Sequence, residues 1–342
     1  MPRVVGIDPG TLSIDVCGLA DGRLTLDYSI PTAAALADPE AFVAKLAAEG
    51  PFDLVAGPSG YGLPLIRGAD VTDRDLRLAF LSAPGEPGGI GGLAALARAL
   101  AGSALPVVFI PGVIHLPTVP DHRKINRVDL GTADKVCAVA LAMVEQMSLR
   151  GCVETDVSLI LVELGGAFTA AVAVNGGCIV DGVGGTSGPI GRRSAGALDG
   201  EVAFLAGSVS KAMLFSGGVE SLPEGIGNDA YLEGVVKAVA TLAVTVPHAY
   251  EVVLSGRMAL DDGIAGDVIE RLTHVAPARR LTGFARKAKH SAQGAALIAD
   301  GLAGGAHRGL IDALALREAR GTVLDHLVVI SPETARHRLG IA

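Results

Sequence analysis

The chain has no tryptophan, and phenylalanine and tyrosine together make up only 4% of its 342 residues. An interior built almost without large rings must be filled by aliphatic and small side chains, and half of the residues are hydrophobic. An excess of basic residues is missing too. The formal charge is −8, which leaves no clustered Lys/Arg footprint for a polyanion and excludes DNA or RNA as an expected partner. Cysteine is scarce: Cys17, Cys137, Cys152 and Cys178 lie far apart with no CxxC pair, as expected for small buried hydrophobes in a reducing cytoplasm. The histidines show neither HxxxH nor HxH spacing, so a zinc site is not expected, and no glycine cluster forms the GxSxG elbow of a serine hydrolase. Long apolar runs are absent as well. The longest, residues 157–174, is interrupted by Glu163, Gly165 and Gly166 and falls short of the ~20 residues that span a bilayer. No basic segment followed by an apolar one opens the chain, so neither export nor a membrane is expected.

Glycine, by contrast, is abundant. Its 46 residues follow no triplet period, which points to tight turns and close helix packing rather than to a fibrous or disordered chain. The length allows two domains, each burying its own core. The expected division is residues 1–150 and 151–342, with the last helix crossing back. Strand-like runs occur at 3–7, 13–19, 23–30, 53–56 and 106–110. Helical patterns occupy 39–49, 89–101 and "TADKVCAVALAMVEQMSLR", where Thr132 caps, Asp134 sits in the first turn and Gly151 stops the helix. After 198 the pattern is helical, returns to a strand at "YEVVLSGRM", and continues as a helix at 261–274. The chain then runs through the small-residue stretch "KHSAQGAALIADGLAGG" into a C-terminal helix and strand.

The most informative feature is a duplication. The opening "VVGIDPGTLSIDVCGLADG" reads as a β-meander with glycine turns, and "VSLILVELGGAFTAAVAVNGG" reads the same way. A shift of 155 residues places Glu163 on Asp8, Gly165 on Gly10, and Gly176 and Gly177 on Asp21 and Gly22. A single Asp-Pro-Gly is ordinary turn chemistry, but a second copy in register asks for a shared purpose. Gly10 allows a turn whose amides, with the Thr11 and Ser13 hydroxyls, can donate to phosphate oxygens. An acid beside a phosphate makes sense when a hard cation such as Mg²⁺ intervenes, since that ion takes one or two carboxylates plus substrate phosphates. The doubled turn therefore implies a nucleotide held between two lobes. A third element, "VVLSGRMA", runs a strand into a Ser255-Gly256-Arg257 turn that can open a slot for adenine or ribose.

Together these elements resemble the phosphate-1, phosphate-2, adenosine and connecting-helix motifs of the acetate and sugar kinase, Hsp70 and actin superfamily, in the right order and over nearly the whole chain. More narrowly, "VELGGAFTAAVAVNGG", "GVGGTSGP", "DGEVAFLAG" and "KAMLFSGG" resemble the predicted butyrate kinase family (DUF1464). The resemblance implies an α/β fold of two ribonuclease H-like, actin-like ATPase domains, each with a five-stranded mixed sheet flanked by helices and with ATP and Mg²⁺ in the cleft between them. It assigns Asp8 and Glu163 to the metal and its waters, Gly10, Thr11, Ser13, Gly165 and Gly166 to the phosphates, and Ser255, Gly256 and Arg257 to the nucleoside. Such a protein would transfer the γ-phosphate of ATP to a small-molecule substrate, and a homodimer is compatible with it. One departure stands out: acetate and butyrate kinases carry asparagine where this chain has Asp8.

The acceptor side rests on "DHRKINRVDLGTADK", residues 121–135, and on the glycine-rich "GVGGTSGPIGRRSAG", residues 182–196. A hydroxyl acceptor needs a base, for which Asp134 is the candidate. A short-chain carboxylate is already ionised and needs cations, for which Arg123, Arg192 and Arg193 are candidates, with His122 beside them and the glycine-rich segment as a mobile loop. Three readings stay open: a butyrate kinase-like carboxylate kinase, a sugar or other hydroxyl-acceptor kinase, and a non-kinase ATP-binding switch of the actin or Hsp70 type.

Overall fold

The structure, a computed structural model, describes residues 2–86 and 92–341. Apolar alternation and glycine turns build the first meander: β1 (Arg3–Pro9), β2 (Ser13–Ala20) and β3 (Arg23–Pro31). After α1 (Thr32–Ala37) and α2 (Pro39–Ala48), the sheet continues through β4 (Leu54–Pro58) and a two-residue β5 (Ile66–Arg67). Then come α3 (Asp73–Phe80), α4 (Leu93–Ala101), β6 (Val107–Ile110), α5 (Asp121–Lys124) and α6 (Ala133–Arg150). The sheet order is β3-β2-β1-β4-β6-β5. It holds six strands rather than the expected five, because Ile66 and Arg67 pair with Phe109 and Val108 along the edge. The start of the helix expected over 89–101 lies, at 89–91, outside the described residues.

The second half repeats this plan. β7 (Leu159–Leu164), β8 (Thr169–Asn175) and β9 (Cys178–Val183) form the meander. There follow α7 (Gly200–Leu205), α8 (Lys211–Leu214), α9 (Glu224–Ala243), β10 (Glu251–Ser255), α10 (Asp262–Leu272) and β11 (Ala278–Arg280). The order β11-β10-β7-β8-β9 matches β6-β4-β1-β2-β3 strand for strand, with β10 parallel to both β7 and β11 as β4 is to both β1 and β6. Both outer turns use left-handed backbone, at Asp21 and Gly22 in one copy and at Gly176 and Gly177 in the other. The 155-residue offset therefore holds in three dimensions.

The chain ends with α11 (His290–Leu302), α12 (Arg308–Ala313) and α13 (Pro332–Arg338). The expected C-terminal strand does not form among the described residues. The amides of Val328 and Val329 are instead held by the Asn126 side chain at 2.7 and 2.9 Å, which fixes the segment as an exposed turn.

Helix α6 is buried on every side from Val136 to Met143, as befits a helix enclosed by protein rather than lying at a surface. It packs against β4 and β6 of the first sheet and β7 and β8 of the second. Alternation along the second sheet divides its faces: Leu159, Leu161, Val172 and Val174 join the core of the first half, while Ile160, Val162, Ala171 and Ala173 join α9 and α10. Helix α11 crosses back to lie on β1, β2 and β4 beside α6. Small residues permit this contact. A Cβ on Gly6 would lie 2.2 Å from the α11 backbone, and one on Gly294 1.7 Å from the Cys137 carbonyl. Among the described residues no helix is long and apolar enough to cross a membrane.

Candidate functional site

The two inner turns are built alike. The Gly10 amide donates to the Ser13 carbonyl at 3.0 Å, and the Gly165 amide to the Phe168 carbonyl at 3.0 Å. The expected phosphate donors Gly10 and Gly165 thus have their amides committed to closing the hairpins. What each hairpin presents instead is its two-residue tip: the amides of Thr11 and Leu12, and of Gly166 and Ala167, have no partner among the described residues. Paired free amides in a tight turn form an anion-binding concavity. The tips also approach one another, since a Cβ on Gly166 would lie 3.7 Å from both the Leu12 side chain and the Arg257 stem.

At the end of β1, Asp8 is buried. Its pKa is pushed up to about 7, chiefly by burial, with Lys289 pulling down and the Asp134 and Asp15 carboxylates pushing further up. Lys289 stands 2.8 Å from Asp15 and 3.8 Å from Asp8, and donates to the Ser13 carbonyl at 3.2 Å. Burial opposes its charge, but these acids hold it protonated, above the usual lysine range. Its position is set from a distance. Asp27 on β3 accepts the amides of Arg286, Lys287 and Ala288, and Gln293 accepts those of Phe284 and Ala285, so the segment leading into α11 is fastened at both ends. The Ser13 hydroxyl is turned to Asp15 at 2.7 Å.

At the end of β7, Glu163 occupies the matching place. Burial raises its pKa, opposed by Lys135, and its Oε2 has no hydrogen-bond partner. The Ser255 hydroxyl beside it contacts His290 Nδ1 at 3.0 Å. At the start of α6, Asp134 accepts from Thr132 and from Lys135, each at 2.5 Å. Burial would raise the Asp134 pKa, but Lys135 and Thr132 outweigh it and hold the carboxyl ionised.

Asp8, Asp15, Asp134 and Glu163 thus share Lys135 and Lys289 within one cluster of the described residues. With all four ionised, two negative charges are left over, and one carboxylate oxygen is orphaned. These residues fit a hard divalent cation that keeps most of its own waters. They do not fit an ion caged by protein alone, since among the described residues no three His, Cys, Asp or Glu side chains converge for that.

Both hairpin tips line a single cleft of about 370 Å³. Asp8, Gly10, Thr11, Asp134, Glu163, Gly165, Gly166 and Arg257 of the expected residues border it, and Lys135, Lys289 and Lys211 join them. Ser255 and Gly256 sit directly behind, where Gly256 at φ +90° turns the chain out of β10 against the Leu164 carbonyl. The other expected cations are placed elsewhere. Arg123 donates to the Val180 carbonyl at 2.6 Å and faces Asp181 at 3.7 Å, while His122 on the same short helix is exposed near Asp181. Arg192 lies 3.7 Å from Glu220, and Arg193 is exposed.

The glycine-rich segment that carries the two arginines is hydrogen-bonded to the rest of the site. Asp129 accepts the Thr186 amide and hydroxyl at 3.1 Å, and the Arg193 and Ser194 amides both reach the Ala167 carbonyl. The cluster at 121–135 is therefore divided. Asp129, Thr132, Asp134 and Lys135 border the cleft, and none of residues 121–127 does. Lys289 and Lys211 carry no motif of their own; only their positions within "KHSAQG" and "KAMLFSGG" marked them.

The profile of the family described as "Protein of unknown function (DUF1464)" matches residues 6–329. The comparison with curated proteins returns no match. Among solved structures the chain is similar to a propionate kinase from Francisella tularensis subsp. tularensis SCHU S4, with TM-score 0.61, 11% identity, and coverage of 86% of this chain and 99% of that one. It is also similar to the acetate kinase of Entamoeba histolytica, with TM-score 0.59, 10% identity and coverage of 80% and 86%. The acetate kinase of Porphyromonas gingivalis gives TM-score 0.56, 12% identity and coverage of 80% and 88%. At these identities the likeness is one of fold.

Proposed function

We propose that this chain, which belongs to the family described as "Protein of unknown function (DUF1464)", is a cytoplasmic kinase that transfers the γ-phosphate of ATP to a small carboxylate with the help of Mg²⁺. The observation that carries the reading is the pair of hairpin tips with free amides, each beside an acid at its strand's end, opening onto one cleft. Thr11, Leu12, Gly166 and Ala167 donate to the phosphates from both sides, and Lys135 and Lys289 offset their charge. Arg257 and the Gly256 turn border the nucleoside. Asp8 and Glu163 are the residues that would hold Mg²⁺, through water, and the ion would supply charge neutralisation on the phosphate oxygens.

The bond from the acceptor oxygen to the γ-phosphorus forms as the bond from that phosphorus to the β–γ bridging oxygen breaks, with the electron pair leaving on ADP. A carboxylate acceptor brings no proton to remove. That suits Asp134, whose oxygens are engaged by Thr132 and Lys135, to orienting cations rather than to acting as a base. Acid-dependent ADP release, with the acyl phosphate trapped by hydroxylamine as hydroxamate, tests the reading. Equal ATP turnover with and without acids and polyols would refute it.

A further inference from the structure

Besides the hairpin tips and the charged cluster, the cleft is bordered by Tyr61, Phe80, Leu93, Phe168 and Phe215, a concentration of rings in a chain that has few. Lys211 borders the same cleft. It comes from α8, which belongs to the second half of the chain, yet its ammonium stands 5.5 Å from the ring centre of Tyr61 in the first half.

The segment that carries Lys211 is anchored on its own side. Phe215 packs edge-on to Phe168 with ring centres 5.0 Å apart, the Ser216 carbonyl accepts the Ala195 amide, and the Gly218 amide donates to the Arg193 carbonyl. Lys211 makes no ion pair with a carboxylate among the described residues. Burial draws its pKa down, and Glu86 only partly opposes this from a distance. A half-buried ammonium facing rings is a group in want of an anion. Asp129 cannot serve, because its carboxylate is already held by Gly131 and Thr186.

Resting on the kinase reading above, we propose that Lys211 is a specificity-determining residue: its ammonium takes the acceptor's carboxylate, and the surrounding rings select an acid whose apolar chain is longer than that of acetate. A sugar would leave its hydroxyls against Phe80, Leu93, Phe168 and Phe215 unpaired, which is costly. An apolar chain gains about 0.8 kcal/mol for each buried methylene, roughly a fourfold gain per carbon in kcat/KM until the pocket is full.

The test is steady-state kinetics on the full chain with straight-chain acids from acetate to hexanoate, using hydroxamate trapping, for the wild type and for Lys211→Met, Lys211→Gln and Lys211→Arg. The expected result is that kcat/KM rises from acetate to the longer acids. Lys211→Met should raise the acid KM by about tenfold or more while the ATP KM stays within about twofold, and Lys211→Arg should restore much of the loss. Lys211→Gln provides the same readout should the Met variant melt early. A rise in the ATP KM instead, or an unchanged acid KM, would overturn the role of Lys211. A preference for acetate would overturn the chain-length argument and leave the kinase reading standing. Transfer to no acid at all would overturn both.

Discussion

Replacing Asp8 with asparagine should move activity and stability in opposite directions. The carboxyl is buried, and its pKa is raised from 3.8 to about 7. A carboxyl whose folded-state pKa is raised binds its proton more tightly when folded, so its contribution to stability is fully present below about pH 4. That contribution is lost as pH rises toward 7 and is constant above it. The difference of about three units is worth about 4 kcal/mol at pH 8. Asparagine mimics the protonated form and escapes the loss. With an unfolding entropy of about 2.1 cal/mol/K per residue, the Asn variant should melt about 6 °C above the wild type at pH 8, and at nearly the same temperature at pH 4. Calorimetric melts of both proteins without nucleotide, between pH 4 and pH 9, measure this. The same variant should lose about 100-fold in kcat/KM, as loss of a group that would hold the metal ion through its waters does. A variant less stable than the wild type at pH 8, or a difference that does not change with pH, would refute the electrostatic reasoning; unchanged activity would remove Asp8 from the reaction.

Three further outcomes follow from the geometry. Lys289→Met should cost about 100-fold in kcat/KM, and because Lys289 holds the Asp8 pKa down, the pH at which kcat/KM levels off should move upward from about 7; a pH–rate profile reads both. Gly165→Ala places a Cβ 2.6 Å from the Phe168 carbonyl, so the second hairpin must open, and the ATP KM should rise about tenfold together with a lowered melting temperature. Arg279 is bonded to Glu251 and Glu145, which join β10 and α6; Arg279→Met should cost about 3 kcal/mol by leaving both carboxylates without their cation, measured by urea unfolding.

The repeated meander was legible because it is local. Strand alternation, an acid at the strand end and glycine turns all lie within about twenty residues, and the copy at an offset of 155 supplied a second measurement of the same pattern. Strands β5 and β11, with two and three residues, are too short to carry a period. Which amides each hairpin leaves free was not legible, for a physical reason. Gly10 and Gly165 are conspicuous in sequence, but a two-residue loop closes through the residue before it, which leaves the tip amides of Thr11, Leu12, Gly166 and Ala167 free. Lys289 was hidden because its place depends on Asp27 catching the backbone at 286–288, a contact that spans most of the chain. Arg123 looked like a cleft residue because it is near Asp134 in sequence. The turn at Asp129 to Gly131 separates them and sends Arg123 to β9.

The two half-sites match in backbone but not in charge, and the difference shows how the halves depend on each other. Asp8 belongs to the first sheet, yet the cation acting on it most strongly is Lys289, from the segment after the second sheet. Glu163 belongs to the second sheet, yet the cation acting on it most strongly is Lys135, from the helix before that sheet. Each acid is thus compensated by the other half of the chain. With the four acids ionised, bringing the halves together cancels two charges and leaves two, beside an orphaned Glu163 oxygen and four tip amides without a partner among the described residues. Those remaining groups ask for opposite things, a cation for the carboxylates and an anion for the amides. A metal–phosphate pair meets both demands at once, where either ion alone would leave the other demand unmet.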